Sequence, residues 1–221
     1  MNPRSLVKHV TELWDTIATH TPYAVFITEI WLNPASTPDI TTATPNGYKI
    51  VHRDRINKYG GGIAIIHQNT LRCTTSTNDT TPIMEHLNFQ LQTDGKTTIR
   101  GMLVYRPPGA HPAFFNVIPD FIAPLTIDSE HYIFLGDHNF HLDNTNDTNT
   151  ADLLESLSNI GLKQLVTDPT HRAGYTIDPI FIASNRVKYS HTTELTWTDH
   201  HSVHFSITRP PNTIAKPVNG T

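Results

Sequence analysis

The stretches YIFLGDHN at residues 132–139 and TDHHSVHFSI at residues 198–207 decide the fold expected of this chain. In the first, a short apolar run with β-branched and aromatic character ends at a glycine, which is typical of a buried strand. In the second, polar and apolar residues alternate strictly after residue 201, which indicates a half-buried strand. Acidic, amide and imidazole side chains therefore stand at the tips of two strands, where α/β sheets place their ligands.

More strands than helices are expected along the rest of the chain. Apolar residues at helical spacing predict helices at 5–20, 113–125 and 150–159, the second opened by Pro112 and kinked or broken at Pro119. Short apolar or alternating runs predict strands at 24–28, 47–52, 63–67, 86–92 and 98–105, with a turn at Asp94-Gly95 before the last. Because several strands alternate, two packed sheets are favoured over one parallel sheet. We expect an α/β fold (α+β by some schemes), a four-layer sandwich of two packed mixed β-sheets flanked by helices.

The bulk properties fit one domain. A chain of 221 residues and 24.8 kDa is long enough to bury a real core, and we assign residues 1–208 to that domain. Residues 209–221 are rich in Pro, Asn, Thr and Lys and are expected to be a disordered tail or linker. The single Cys73 excludes an internal disulfide, and neither a membrane-length apolar run nor a secretory signal is present. An intracellular, monomeric protein without a membrane partner is expected.

Charge and unusual residue types narrow the possible partners. A net charge of −4 means that contact with nucleic acid needs a local basic surface and should be weak and salt-sensitive. The fourteen histidines suggest zinc, but one cysteine and no helical His-x-x-x-His pair favour surface and loop positions for most of them. We assign the three tryptophans Trp14, Trp31 and Trp197 to the core. Three basic residues are assigned to a solvated loop: Arg53, Arg55 and Lys58.

The strand tips carry side chains suited to phosphodiester hydrolysis. That reaction needs a cation on the phosphate, an oriented water and help for the leaving oxygen. Acidic residues stand next to strand-like runs at four positions, Glu29, Asp137, Asp178 and Asp199. His200 could pair with a carboxylate, and Asn139 could orient a water without adding charge. Taken singly, each has a plainer explanation, because an Asp after a strand is most often a cap or turn residue.

The order of several motifs resembles the exonuclease–endonuclease–phosphatase superfamily. More narrowly, it is similar to the apurinic-like endonuclease domain of LINE-type, non-LTR retrotransposons of the chicken-repeat branch, over residues 2 to 207. The motifs that carry the resemblance are NPRSL at 2–6, TEIWL at 28–32, GGGIA at 60–64, YRPP at 105–108, GDHN at 136–139, YTID at 175–178 and TDHH at 198–201.

The resemblance implies a role for each matched residue. Glu29 would hold Mg²⁺, with Mn²⁺ as a substitute, and Asn2 and Asp199 would lie close to the metal. Asp137, the candidate base, and Asn139 would position the attacking water and the scissile phosphate. A second set would act on that phosphate: the pair Asp178 and His200 would bind or polarise it, and Tyr105 would donate a hydrogen bond to it. A third set would contact DNA through a turn that probes a groove: Thr170, His171, Arg172 and Tyr175.

The activity implied is nicking of one strand of double-stranded DNA, leaving a 3′-hydroxyl. A reverse transcriptase domain fused in the parent polyprotein would extend that hydroxyl in target-primed reverse transcription, so the protein would be made in the cytoplasm and act in the nucleus. Two alternatives stay open, an abasic-site repair endonuclease and a catalytically decayed copy that only binds DNA. A phosphoinositide or sphingomyelin phosphodiesterase is disfavoured because such enzymes typically carry Pro after Asp-His-x, where Ser202 stands here.

Three residues depart from the family pattern. His138 replaces an aromatic residue, Thr198 replaces Ser, and Pro179 follows Asp178 where an apolar residue is usual. The family also has a strand that leads into the Asn2 motif, and here the motif opens the chain. We therefore expect Asn2 to be loosely held and one sheet to be short of a strand.

Overall fold

The structure is a computed structural model and describes residues 1–32, 37–55, 60–76, 83–93, 97–127, 129–144 and 146–208. The turn at Asp94-Gly95, the side chain of Lys58 and the tail at 209–221 lie outside these residues. None of the helices in the described ranges combines the length and the apolar character needed to cross a membrane.

Four α-helices and eleven strands make up the described chain. The helices are α1 Val10–His20, which follows a 3₁₀ turn at Val7–His9, α2 Thr37–Ala43, α3 Ala113–Ile127 and α4 Thr148–Asn159. The first six strands are β1 Ala24–Thr28, β2 Tyr48–Arg53, β3 Ile63–Gln68, β4 Leu71–Ser76, β5 Glu85–Thr93 and β6 Thr97–Tyr105. The last five are β7 Tyr132–Asp137, β8 Lys163–Gln164, β9 Ile180–Ala183, β10 Val187–Thr193 and β11 Ser202–Ile207.

These strands form three sheets in two layers. One layer is a six-stranded sheet in the order β4-β5-β6-β7-β9-β8, and the other consists of the three-stranded sheet β1-β3-β2 and the hairpin β10-β11. A core that includes Phe26, Leu103 and Ile133 lies between the layers, and Val203 and Phe205 of β11 pack against it. The two layers are therefore the packed sheets of a sandwich.

Helices cover both outer faces. Apolar residues of α3 and α4, such as Phe114 and Leu153, pack on the outer face of the six-stranded sheet around Phe134 and Phe181. On the opposite side, Leu13 and other residues of α1 pack on β1 and β3. The mixed α/β sandwich predicted from the sequence is thus confirmed.

A cavity of about 540 Å³ lies between the two layers, and residues of β1 and β11 line it together. It extends from Met1 and Asp178 at one end to His20 and His204 at the other. Most of the lining is apolar, including Phe26 and Leu135.

Several sequence-based assignments need correction. A kink or a break was predicted at Pro119, and the break is wrong, because α3 runs without interruption from Ala113 to Ile127 and contains both Pro119 and Pro124. The core assignment of Trp14 is wrong as well, since 42% of the residue is exposed, whereas Trp31 and Trp197 are partly buried.

The two described arginines of the presumed solvated loop have partners inside the protein. Arg53 donates through Nη1 to the carbonyl oxygen of His86 at 2.9 Å, and Arg55 forms an ion pair with Glu85. Their assignment to a solvated loop is wrong. The reason is that β5 supplies acceptor atoms beside the loop that follows β2. The local sequence does not indicate that β5 lies next to this loop.

Candidate active site

Parallel pairing of β6 and β7 creates the floor of the candidate site. Tyr105 is the register partner of Asp137, so the two side chains stand next to each other at the carboxyl ends of neighbouring parallel strands. Gly136 permits this pairing, because a Cβ at that position would lie 1.9 Å from the carbonyl oxygen of Val104 and its φ is +139°. The glycine that ends the apolar run is therefore required by the close approach of β6.

Asp137 is buried and held on both oxygens. Its Oδ2 accepts a hydrogen bond from Nδ2 of Asn2 at 2.8 Å, and its Oδ1 accepts one from the backbone N–H of Asn139 at 3.1 Å. Burial, and next the charge of Asp178, raise the pKa of Asp137 to about 7, against the lowering effect of His200. A carboxylate with that pKa can exchange a proton near neutral pH.

Asp178 and His200 form a buried carboxylate–imidazole pair. The ring Nδ1 of His200 lies 2.9 Å and 3.2 Å from the two Asp178 oxygens, and its Nε2 lies 3.8 Å from Oδ2 of Asp137. Burial alone would lower the pKa of His200, but Asp178, Asp137 and Asp199 together raise it to about 9. Burial likewise opposes ionisation of Asp178, yet the charge of His200 and its hydrogen bond lower the pKa of that carboxyl. The imidazole is thus held as a cation between acids.

Two groups of side chains bring enough ligand atoms together to hold a cation. In each group the ligand atoms lie within 4.8 Å of one another; the groups are Asp137, Asp178 and His200, and His171, Asp199 and His200. Carboxylate oxygens are the ligands that Mg²⁺ prefers, so the two buried acids of the first group suit a hard divalent ion, whereas the protonated ring of His200 has no free lone pair to offer. In the second, Nδ1 of His171 accepts the N–H of Ala173 at 3.1 Å, which leaves the proton on Nε2 and removes that atom as a ligand.

Glu29 belongs to neither group. It follows β1 with a φ of +53°, and its carboxylate accepts hydrogen bonds from the Tyr105 hydroxyl and, at 2.9 Å, from Nε1 of Trp31. Burial and the bond to Glu29 raise the pKa of Tyr105, so the phenol stays protonated as a donor. Among the hydrogen bonds and ion pairs of the described residues, none joins Glu29 directly to Asn2 or Asp199. Glu29 instead accepts the hydroxyl of Tyr105, which is the register partner of Asp137.

Asn2 is firmly held, so the expectation that it would be loose is wrong. Only 1% of the residue is exposed. Its side chain donates to Asp137 and accepts the N–H of Arg4 at 3.0 Å, and its carbonyl oxygen accepts the Thr198 hydroxyl at 2.8 Å. Contacts to β7 and to the loop before β11 therefore fix the first motif.

Asn139 is also anchored through backbone contacts. Its Nδ2 donates to the carbonyl oxygen of Arg106 at 2.9 Å, and its φ is +47°. The buried guanidinium of Arg106 donates in return to the carbonyl oxygens of Asn139 at 3.2 Å and Ala110 at 3.0 Å. This exchange holds the loop after β7 against the loop after β6.

Asp199 lies at the surface side of the site. Its Oδ2 is 3.1 Å from Nη1 of Arg4 and 3.4 Å from Nε2 of His171. Burial opposes ionisation, but the charge of Arg4 lowers the pKa of Asp199. The structure therefore pairs Asp199 with basic partners next to His200.

The turn expected to contact DNA has a buried base and an exposed tip. Thr170 is fully buried, and its hydroxyl accepts the N–H groups of Ile177 and Asp178, each at 3.0 Å, so it positions Asp178. Arg172 is exposed and donates through Nη2 to the carbonyl oxygen of Thr198 at 2.7 Å. Tyr175 is 41% exposed, and its ring centroid lies 4.0 Å from that of His141. Arg172 and Tyr175 can meet a ligand, whereas Thr170 cannot.

Sequence reasoning missed several residues that shape the site. Arg55 lies over the Tyr105 ring, with its Cζ 5.3 Å from the centroid, and Arg106 carries the loop of Asn139. Arg4 and Thr198 hold Asp199 and Asn2, respectively. Arg4, Arg106 and Thr198 stand within the quoted motifs, so adjacency could have identified them. Arg55 has no such signal.

Comparison with known proteins identifies the fold. The endonuclease domain of TRAS1, a telomere-specific non-LTR retrotransposon, matches with a TM-score of 0.72 and 17% identity, over 94% of this chain and 95% of that one. The AP endonuclease LMAP from Leishmania major matches with a TM-score of 0.70 and 14% identity, over 95% of this chain and 86% of that one. The mannosyl-6-phosphatase Bt3783 of Bacteroides thetaiotaomicron matches with a TM-score of 0.68 and 14% identity, over 93% of this chain and 92% of that one.

No model of a known protein family matches the sequence, and no curated protein sequence matches it. The structural likeness shows the fold of the exonuclease–endonuclease–phosphatase superfamily, as the motifs predicted. That fold carries enzymes that act on different phosphate esters, so the activity has to be argued from the site.

Proposed function

We propose that this protein is a Mg²⁺-dependent DNA endonuclease that nicks one strand of double-stranded DNA and leaves a 3′-hydroxyl. The observation that carries the proposal is the convergence of Asp137, Asp178 and His200, all buried, beside Tyr105 and Asn2. Acids and a cationic imidazole in this arrangement suit cleavage of a phosphodiester, which needs charge stabilisation on a phosphate and an oriented water.

The oxygen-rich floor of the site fits a divalent cation. The cationic ring of His200 offsets only one of the two buried charges of Asp137 and Asp178, so a divalent cation would offset the charge that remains. Glu29, whose carboxylate accepts the Tyr105 hydroxyl, together with Asn2 and Asp199, would complete the set that holds Mg²⁺ or Mn²⁺. The ion would polarise a phosphoryl oxygen and lower the pKa of a bound water.

The remaining chemistry falls to side chains of this chain. Asp137 takes a proton from the attacking water, because its pKa near neutrality suits a general base. His200, held by Asp178, donates from Nε2 to a phosphate oxygen, and the Tyr105 hydroxyl turns from Glu29 to donate to the phosphate as charge develops. Asn139 orients the water or the phosphate through its amide.

The biological setting is proposed on the same basis. Similarity to the TRAS1 endonuclease domain supports a role in retrotransposition, in which a fused reverse transcriptase extends the new 3′-hydroxyl in the nucleus. Residues 1–208 would then be the endonuclease unit, monomeric by itself. Similarity to the AP endonuclease LMAP makes cleavage at abasic sites the second candidate.

A plasmid assay tests the proposal. With Mg²⁺ the protein should convert supercoiled plasmid to the nicked form, and EDTA should abolish the conversion. Asp137→Ala and His200→Ala should each lower the rate by about 10²- to 10⁴-fold, because each removes a charged group of the site. His201→Gln, a change at the neighbouring histidine whose Nδ1 contacts Pro169, serves as the matched control. Parent-like nicking by Asp137→Ala would contradict the assignment.

The products and the substrate preference separate the candidates. Mapping of the ends should find a 3′-hydroxyl on intact duplex DNA. A large preference for an abasic oligonucleotide over intact plasmid would select the repair activity instead. Binding of DNA without any metal-dependent cleavage would select the decayed copy.

A further inference from the structure

Three histidine side chains that the proposed function does not use meet at the end of α1. His20 is the last residue of α1, His191 lies on β10, and His204 lies on β11. The ring centroid of His204 is 4.5 Å from that of His191 and 4.7 Å from that of His20. None of the three belongs to either group of ligand atoms around His200. They therefore form a separate set, which we call the histidine cluster.

Strand pairing places two of the rings on the same face of the β10-β11 hairpin. His191 and His204 are register partners in its antiparallel ladder. Directly opposed residues of such a ladder carry their Cβ atoms about 4.5–5.5 Å apart, so the two side chains leave the sheet next to each other. Val203 and Phe205, on either side of His204, pack against the core between the layers, so the His204 side chain points to the opposite face. The sheet itself sets the spacing of this pair.

The end of α1 supplies the third ring. His20 stands in the last turn of the helix, and the helix ends at Thr21, whose φ is +42° and whose N–H donates to the carbonyl oxygen of Ile17 at 2.8 Å. The last turn of a helix carries a partial negative charge on its carbonyl groups, which stabilises a cation placed there. Because this turn lies next to His204, the helix favours a positive ion at the histidine cluster.

One nitrogen of the cluster is buried without a partner. Nε2 of His204 has no hydrogen-bond partner among the described residues. A buried polar atom in that state costs free energy, and a bound metal ion would remove the cost. His20 and His191 are exposed, so an ion can reach the cluster from solvent and both rings can rotate.

The separations of the rings suit a shared ion. A zinc ion lies about 2.0–2.1 Å from the nitrogen of each imidazole that binds it, so two such rings on one tetrahedral ion have their centroids about 5 Å apart. The separations of 4.5 Å and 4.7 Å are close to that value. His191 now stacks on His204 at 9°, and the His20 ring is tilted from it by 58°. Binding therefore requires the two exposed rings to turn, which their side-chain torsions allow without movement of the backbone.

We propose that the histidine cluster is a binding site for a transition-metal dication of the zinc class, held by the rings of His20, His191 and His204 with water completing its coordination. Imidazole nitrogen binds Zn²⁺, Co²⁺, Ni²⁺ and Cu²⁺, whereas Mg²⁺ takes oxygen ligands. The bound ion fastens the end of α1 to the hairpin and so stabilises the folded chain. This site stands apart from the proposed function, because it uses no residue of the candidate active site.

Metal titrations of the full chain test the proposal. The protein is freed of metal with a chelator and then titrated with Co²⁺, whose visible absorption reports imidazole ligands, and with Zn²⁺, whose effect is followed by thermal unfolding. Excess Mg²⁺ is present throughout to occupy the oxygen-rich active site. The variants are His20→Gln and His204→Gln, and His111→Gln, at an exposed histidine before α3, is the matched control. None of these readouts depends on DNA cleavage, so their failure would leave the proposed function standing.

Zinc should raise the unfolding midpoint of the parent by at least about 5 °C at a concentration about 100 times the dissociation constant. His20→Gln and His204→Gln should each weaken the binding of Zn²⁺ and Co²⁺ by at least about tenfold, since even the loss of an outer partner of a metal ligand costs that much. His111→Gln should bind as the parent does. His20→Gln changes an exposed helix end, so it tests the ligand role even where His204→Gln is unstable. Parent-like zinc affinity in His20→Gln, or zinc that Mg²⁺ displaces, would overturn the proposal.

Discussion

At the scale of single residues, the candidate site depends on charges that are buried before a substrate arrives. Asp137 and Asp178 lie on either side of the His200 ring, and the cationic form of that ring attracts both acids. Donors and charges fixed in this way need no rearrangement when charge develops on a phosphate. The same arrangement of charges accounts for the pKa of about 7 at Asp137 and the pKa of about 9 at His200.

The Tyr105 hydroxyl offers a sharp test of one contact. Tyr105→Phe keeps the buried ring and removes the donor to Glu29, so the fold should be retained. Loss of a hydrogen bond to a charged group typically costs about 1.5–3 kcal/mol, so we expect kcat for plasmid nicking to fall by about 10- to 100-fold. Single-turnover kinetics measure the change.

A control for this variant lies on the same sheet. Tyr132→Phe removes another buried hydroxyl, on β7, and should leave kcat unchanged. If the two variants lose activity equally, the effect of Tyr105→Phe comes from packing and not from the contact with Glu29.

The sequence predicted which residues belong to the candidate site better than it predicted which residues they contact. Asp137, Asp178 and His200 were expected in one site because each flanks a strand-like run, and the structure brings them together. Thr170 was expected to face DNA, but it is buried and caps the N–H of Asp178. Such partners depend on how distant loops pack, and no local pattern encodes that.

At the scale of secondary-structure elements, packing overrides the local signal in α3. A proline inside a helix removes a backbone hydrogen bond and clashes with the preceding turn. The helix nevertheless continues through Pro119, because Phe114, Ile118 and Ile122 bury one face of it against the six-stranded sheet.

This conflict predicts a stabilising substitution. Pro119→Ala should increase the free energy of unfolding by about 1–3 kcal/mol, since proline is about 3 kcal/mol less favourable than alanine in a helix interior. Urea denaturation measures it. Pro112→Ala, just before α3, is the matched control and should not stabilise, because proline is tolerated at a helix start. A loss of stability in Pro119→Ala would mean that the ring contributes to the packing.

A histidine cluster joins three elements at the far end of the cavity. His204 on β11 stacks on His191 of β10 at 4.5 Å and lies beside His20 at the end of α1. Burial, followed by the charges of His191, His20 and the Met1 amine, lowers the pKa of His204 to about 4. The junction of the three elements therefore favours a neutral ring.

Acid should weaken this junction. Between about pH 6.5 and pH 4, His204 binds a proton in the unfolded chain but not in the folded chain. The free energy of unfolding that the neutral ring of His204 contributes is therefore present above pH 6.5 and is lost as the pH falls. His204→Gln should flatten the decline in the urea midpoint between pH 7 and pH 4.5 by the equivalent of about 1 kcal/mol. His141→Gln, at an exposed ring, should keep the parent's decline. An unchanged decline in His204→Gln would refute the assignment.

Strands with few apolar side chains were the elements that the sequence did not reveal. Strands β1, β3, β7 and β11 were predicted closely because their apolar runs are buried. By contrast, β4 pairs only with β5 and β10 only with β11, and each has few apolar side chains. Their strand conformation is stabilised by pairing with a neighbouring strand, and the local sequence does not indicate that pairing.

At the scale of the whole molecule, charge limits the DNA contact that the proposed function requires. With a net charge of −4, contact depends on a few exposed cations around the site, such as Arg4 and Arg172. Each phosphate contact adds about −0.9 to the slope of log K against log salt concentration, so about three contacts give a slope near −3.

Fluorescence anisotropy with the inactive Asp137→Asn variant measures this slope. Adding Arg172→Gln should make the slope shallower by about one unit and weaken binding to all sequences alike. Adding Lys163→Gln, on the edge strand β8, is the control and should leave the slope unchanged. A slope that Arg172→Gln does not alter would place the DNA elsewhere.

The cavity is the other whole-molecule feature with a large energetic effect. An empty apolar space of about 540 Å³ would cost up to about 13 kcal/mol at roughly 24 cal/mol per Å³. Entire domains are stable by only about 5–15 kcal/mol. A cavity of this size is therefore large enough to affect the stability of the whole molecule.

The contacts that form the candidate site also determine at which stage of protein synthesis the site can form. Asn2 touches Asp137 across 135 positions of the sequence, His200 pairs with Asp178, and Thr198 in the loop before β11 bonds to Asn2. A chain still on the ribosome has no complete site until His200 has emerged and packed. The growing polypeptide is therefore expected to be harmless to nucleic acid, and a chain truncated before Thr198 should be inert in the plasmid assay.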